Sequence, residues 1–157
     1  MAPVLLHDAF PRSIKILLVE DNRMQTLVMK AALAELPQLD LLAVAKDGFE
    51  ALAFLRQQLQ SGDGSLPDVI LLDLSMPNMD GFEVLAEVKS VPLLRRIPVV
   101  VFSTSGDQED VDRAYEEGAN SYVLKPARLD DLKQSLELVA TYWSAATRLP
   151  THTPMSV

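Results

Sequence analysis

The chain has no cysteine, which excludes disulfides and thiolate chemistry and suits a cytoplasmic setting. It has no apolar run near the about 18 residues that a membrane span requires. Its opening, MAPVLLHDAFPRS, has neither the basic start nor the long apolar core of a signal peptide. Positive charge is scarce: 14 Lys and Arg stand against 22 Asp and Glu, for a formal charge of −8. Whole-molecule steering therefore disfavours nucleic acid and anionic lipid as partners. The histidines, His7 and His152, are far apart and lack ligand-like spacing, and the chain has neither a repeat nor a low-complexity linker. What is present is 157 residues, the size of one domain, able to bury roughly two thirds of its unfolded surface without staples.

Hydrophobic patterning divides the chain into a leader (1–13), a domain (14–141) and a C-terminal extension (142–157). IKILLV, LLAVA, PDVILLD, IPVVVFS and SYVLK read as short strands rich in branched residues. RMQTLVMKAALAEL, DGFEALAFLRQQLQ, FEVLAEVKS, QEDVDRAYEEG and RLDDLKQSLELVATYW carry apolar positions at helical spacing. Strands alternating with helices predict a doubly wound α/β domain, a parallel sheet covered on both faces. Functional groups in such a fold gather beyond the carboxyl ends of the strands.

Glu20 and Asp21 follow the first strand, and Asp73 ends the third. Carboxylates brought together repel unless something positive compensates them. Lys125, ending the fifth strand, can supply one charge and a divalent cation the rest. An oxygen-rich set with incomplete protein ligation suits Mg²⁺, with the backbone carbonyl of Ser75 as a further candidate ligand. Asp73 is the best available nucleophile for a phosphoryl donor, and Lys125, the metal and the Ser103 hydroxyl at the end of the fourth strand would neutralise the developing charge. Any one of these residues alone reads equally well as a helix cap; their coincidence at matching strand ends favours a site. Met76-Pro77 stiffens the turn after Asp73, and MDG supplies a turn in which Gly81 is able to take positive φ.

ILLVEDN, VILLDLSMPNMDGFEVL, PVVVFSTS and SYVLKP, in that order over residues 14–140, closely resemble the receiver domains of two-component response regulators. The resemblance implies a flavodoxin-like, CheY-like five-stranded parallel sheet of order 2-1-3-4-5. It further implies Asp73 as phosphoacceptor, Glu20 and Asp21 as the acidic metal pair, Ser75 as the carbonyl ligand, Ser103 as the switch hydroxyl, Tyr122 as the aromatic switch, and Lys125 as the phosphate-binding lysine in a cis Lys125-Pro126 bond. A partner histidine kinase would supply phosphate in a reaction dependent on Mg²⁺ or Mn²⁺, with slow self-hydrolysis rather than enzymatic turnover. The output would be a shift of the surface made by the fourth helix, fifth strand and fifth helix. Thr104 departs from the alanine or glycine common after the switch hydroxyl, and its bulk is expected to modulate rate. The stretch after residue 140 is too short for a DNA-binding module, so a stand-alone relay or a phosphate-independent scaffold is expected. A haloacid-dehalogenase-type phosphatase would need an aspartate where Ser75 stands, and a dinucleotide site would need glycines in place of VEDNRM.

In the last helix Leu129, Leu132, Leu136, Val139 and Trp143 fall along one side within about 80°, the side expected to pack on the sheet. Leu138, Tyr142, Ala145 and Leu149 form a second line, displaced by about 120° if the helix continues. This second line is expected to be an interface, most simply of a symmetric homodimer; the alternative is cover by the leader's VLL and Phe10. RIPVVVFSTS, the YW helix end and the RLP tail resemble the single-domain regulators associated with bacterial phytochromes. Those pair as homodimers through C-terminal segments, and the resemblance implies a red-light-sensing kinase as partner.

Overall fold

A computed structural model describes residues 13–62, 66–76 and 79–152; His7, the leader's VLL and Phe10, and Pro77 lie outside these. The elements are β1 (Ile14–Val19), α1 (Arg23–Ala34), β2 (Leu39–Ala45), α2 (Gly48–Ser61), β3 (Val69–Leu72), α3 (Gly81–Ser90), β4 (Val99–Ser103), α4 (Gln108–Glu116), β5 (Ser121–Leu124) and α5 (Leu129–Thr141), with a π-helical turn, Tyr142–Ala146, continuing α5. The five strands form one sheet in the order β2-β1-β3-β4-β5, and every pair is parallel. No helix among the described residues is long and apolar enough to cross a membrane.

The two-residue period of a strand explains why the central runs are apolar throughout. Leu17 and Val19 of β1, with Ile70 and Leu72 of β3, face one core, which Leu52 and Leu55 of α2 and Leu85 of α3 complete. Ile16 and Leu18, with Val69 and Leu71, face a second core closed by Leu33 of α1 and Leu136 of α5. Both faces are therefore buried, as parallel sheets require.

Helix capping bears directly on the strand-end carboxylates. The N-caps of α1, α2 and α3 are Asn22, Asp47 and Asp80, whose side chains accept from the N–H groups of Gln25 (2.9 Å), Glu50 (2.8 Å) and Glu83 (3.0 Å). Other residues thus fill the capping role that was open to Glu20, Asp21 and Asp73.

Gly81 does not use the conformational freedom open to it. Positive φ among the described glycines occurs at Gly62 and Gly118, not at Gly81. Gly81 answers instead to close approach: a Cβ there would lie 2.5 Å from the carbonyl oxygen of Asp73 and 2.5 Å from Leu74 Cα. Its N–H donates to Leu74 O at 3.0 Å, seating the start of α3 against the turn that follows Asp73.

The tail also corrects the expected stripes. Leu132 and Leu136 are buried and Val139 and Trp143 pack on the second core, whereas Leu129 is 61% exposed, beside α1 rather than over the sheet. Of the expected interface line, Leu138 (73%) and Tyr142 (55%) are exposed, but Ala145 is buried and Leu149 packs against the protein's own second core. The helix does not continue to Leu149: the π-helical turn widens the repeat to i→i+5 around Ala145, and the helix ends at Ala146, with Thr147 extended (φ −109°, ψ 161°), so Leu149 follows no helical phase. Ser144 Oγ donates to Ala140 O (2.6 Å) and Thr147 Oγ1 to Trp143 O (2.8 Å) across this turn. Tyr142 and Trp143 meet edge to face, ring centroids 5.0 Å apart, one turned outward and the other in. The chain then brings His152 Nε2 to 3.4 Å from Asp68 Oδ1, below the start of β3.

Candidate functional site

Register brings the site together. Val19 pairs with Leu72 at the ends of β1 and β3, and the N–H of Asp73 donates to Val19 O at 3.0 Å, so Glu20 and Asp73 emerge side by side. On the other flank Ser103 pairs with Leu124, and the N–H of Lys125 donates to Ser103 O at 2.7 Å.

Glu20, Asp21 and Asp73 each offer an oxygen within 4.8 Å of the others. Glu20 and Asp73 are buried, while Asp21 is exposed. Against this negative charge stands Lys125, whose Nζ lies 2.5 Å from Glu20 Oε1 and 3.6 Å from Asp73 Oδ1. One ammonium is insufficient. Burial, opposed by Lys125 and reinforced by Glu20, pushes the Asp73 carboxyl up from 3.8 to about 7. An all-oxygen, carboxylate-rich set still short of positive charge fits a hard divalent cation.

The Lys125-Pro126 bond is not cis: no cis peptide occurs among the described residues. Trans is the lower-energy isomer, and with it the lysine side chain already reaches both Glu20 and Asp73. Ser103 is fully buried, and its Oγ accepts from the N–H of Ser105 at 3.1 Å, a bond that uses a lone pair rather than the O–H. Ser75 lies two residues past Asp73, its N–H donating to Asp73 Oδ1 at 3.2 Å. Tyr122 is half-buried and its hydroxyl donates to Ser105 O at 2.8 Å, which ties β5 to the loop after Ser103. Ser105 Oγ in turn donates to Asp110 Oδ2 at 2.6 Å. Thr104 is exposed and lines a 330 Å³ cleft with Met24, Gln25, Lys125 and Leu129.

Sequence reasoning missed Gln25. Its Oε1 lies 2.5 Å from Lys125 Nζ, as near as Glu20. The available signal was its place three residues after Asn22, in the first turn of a helix that begins beside the site.

Comparison with known proteins gives a consistent picture. Residues 16–137 match the response regulator receiver domain family. The chain is 42% identical over 135 residues to the protein described as the probable methanogenesis regulatory protein FilR2 of Methanothrix harundinacea, covering 86% of each chain. It is 40% identical over 135 residues to response regulator Rcp1 of Synechocystis, covering 86% of this chain and 92% of that one; the Mn(2+)-bound crystal structure of Rcp1 matches with a TM-score of 0.76. The crystal structure of the phosphorylated cyanobacterial phytochrome response regulator RcpA matches with a TM-score of 0.79 at 42% identity, covering 88% of this chain and 99% of that one.

Proposed function

The chain belongs to the response regulator receiver domain family, and on that premise we propose that it accepts a phosphoryl group on Asp73 from a partner histidine kinase in a Mg²⁺-dependent reaction. The observation that carries this reading is the buried Asp73 carboxylate held among Glu20, Asp21 and Lys125 at the carboxyl ends of β1, β3 and β5. An Asp73 carboxylate oxygen bonds to phosphorus as the bond from phosphorus to the kinase's imidazole nitrogen breaks, and the electron pair leaves on that nitrogen. Glu20, Asp21, Asp73 and the Ser75 carbonyl would hold Mg²⁺, or Mn²⁺ in its place, which supplies charge neutralisation at the phosphoryl oxygens. Lys125 turns its ammonium to one of those oxygens, and Ser103 donates its O–H to another. Thr104, at the mouth of the cleft, limits access of water and small donors. Slow attack by water on the aspartyl-phosphate restores Asp73 and releases inorganic phosphate.

The signal leaves through the surface of α4, β5 and α5. Ser103 and Tyr122 both bond Ser105, so a Ser103 hydroxyl drawn toward phosphate moves the same loop that Tyr122 holds. Exposed Leu138 on α5 and Tyr142 at the start of the π-helical turn serve pairing with a second copy. Likeness to the phytochrome response regulator RcpA supports a bacterial phytochrome as the kinase, while likeness of the same order to FilR2, described as a methanogenesis regulatory protein, leaves another histidine kinase as the alternative. A phosphotransfer panel of purified histidine kinases including a phytochrome distinguishes them: preferential transfer from the phytochrome supports the red-light reading, and transfer only from other kinases removes it.

A further inference from the structure

Hydrogen bonds around Lys125 close a ring through Gln25, a residue outside the metal-binding set. The N–H of Asn22 donates to Glu20 Oε2 (3.2 Å), Asn22 Oδ1 accepts from the N–H of Gln25 (2.9 Å), Gln25 Oε1 accepts from Lys125 Nζ (2.5 Å), and the same Nζ donates to Glu20 Oε1 (2.5 Å). The N-cap fixes the backbone of Gln25 in the first turn of α1, and its amide oxygen is thereby aimed at the ammonium. Gln25 adds an acceptor without adding charge. That matters in a site that already gathers three carboxylates and whose incoming donor is an anion.

Resting on the reading of Asp73 as phosphoacceptor, we propose that Gln25 is a positioning residue for Lys125, keeping its ammonium aimed at the Asp73 phosphoryl group when Glu20 is drawn to the metal. Lys125 presents three N–H donors. Without cation two are committed, to Glu20 and Gln25, and the third faces Asp73 at 3.6 Å. A carboxylate that ligates a cation accepts more weakly from a neighbouring ammonium, so Gln25 becomes the anchor that remains. Its placement on α1 also ties the orientation of that helix to the lysine that senses phosphate.

The test uses the full chain, Mg²⁺ and phosphoramidate, a small donor that does not dock on α1. Gln25→Met keeps length and removes the acceptor; Gln25→Glu keeps the acceptor and adds charge. A charged hydrogen bond of this kind predicts about tenfold slower phosphorylation of Gln25→Met at saturating donor, with Mg²⁺ affinity by calorimetry and melting temperature as in the wild type. Gln25→Glu should regain most of the saturated rate but need more donor for half-saturation. The Gln25→Met change should have no added effect in a Lys125→Met background, because it acts only through that lysine. A wild-type rate in Gln25→Met, a parallel loss of Mg²⁺ affinity, or an equal effect without Lys125 would overturn the proposal. If Gln25→Met does not fold, failure of Gln25→Glu to approach the wild-type saturated rate overturns it. A wild type that takes up no phosphoryl group from either donor or kinase contradicts the phosphoacceptor reading itself.

Discussion

Lys125 Nζ lies closer to Glu20, at 2.5 Å, than to Asp73, at 3.6 Å. The lysine therefore neutralises the metal-binding side of the site in the absence of cation and competes with it. Replacing Lys125 with Met removes that competing charge, and the predicted outcome is Mg²⁺ binding tighter by about tenfold together with a large loss of phosphorylation rate. Calorimetric titration beside a phosphorylation time course checks both. Weakened Mg²⁺ binding in the variant would contradict this arrangement of charge.

The raised Asp73 pKa makes stability depend on pH. A carboxyl that titrates at 3.8 unfolded and at about 7 folded holds its proton more tightly in the native state. Its stabilising contribution is complete below the unfolded value and is lost as pH rises from about 4 through 7. The neutral Asp73→Asn variant should thus be more stable than the metal-free wild type at pH 8, on the order of 2 kcal/mol. Denaturant titrations should show that gain shrinking toward pH 5, and Mg²⁺ should recover stability for the wild type at pH 8.

Gly81 offers a test of close approach without positive φ. A methyl group at this position meets backbone atoms at 2.5 Å, and backbone does not swing aside as a side chain does. Gly81→Ala should cost about 2 kcal/mol of stability and slow phosphorylation by displacing the turn after Asp73. A Gly62→Ala control separates the two effects, since nothing lies within 4 Å of its added Cβ and the penalty there is one of φ.

The C-terminal stripe separates by burial. Tyr142→Asp alters an exposed ring, so it should leave the melting temperature within a few degrees of wild type while weakening self-association in sedimentation. Ala145→Asp places a charge at a buried position and should lower stability by several kcal/mol. Equal melting temperatures for the two variants would contradict the inward turn of the π-helical segment.

These contrasts mark where the sequence was legible. Apolar runs and their terminal residues were enough to place the five strands and to bring Glu20, Asp73, Ser103 and Lys125 to one edge, because parallel strands share a carboxyl end. The capping alternative was open in the sequence, since Asp and Glu near a helix start look alike; the choice of Asn22 and Asp80 as caps is a matter of backbone geometry. Gln25 was missed because its role depends on the reach of a lysine from a distant strand. Ala145 and Leu149 depart from the expected line because a π-helical turn begins at Tyr142 and the helix ends at Ala146, with no proline or glycine in that turn to announce either. The close approach of Gly81 to Asp73 and Leu74 was not legible, since steric proximity has no local sequence signature.

The most direct test of the central claim is intact mass after incubation with Mg²⁺ and phosphoramidate, wild type beside Asp73→Asn. One added phosphoryl group is expected on the wild type, none on the variant, and none on the wild type when Mg²⁺ is chelated before the donor is added. An unchanged wild-type mass with both the small donor and a cognate kinase, or an added group that persists in Asp73→Asn, would contradict it.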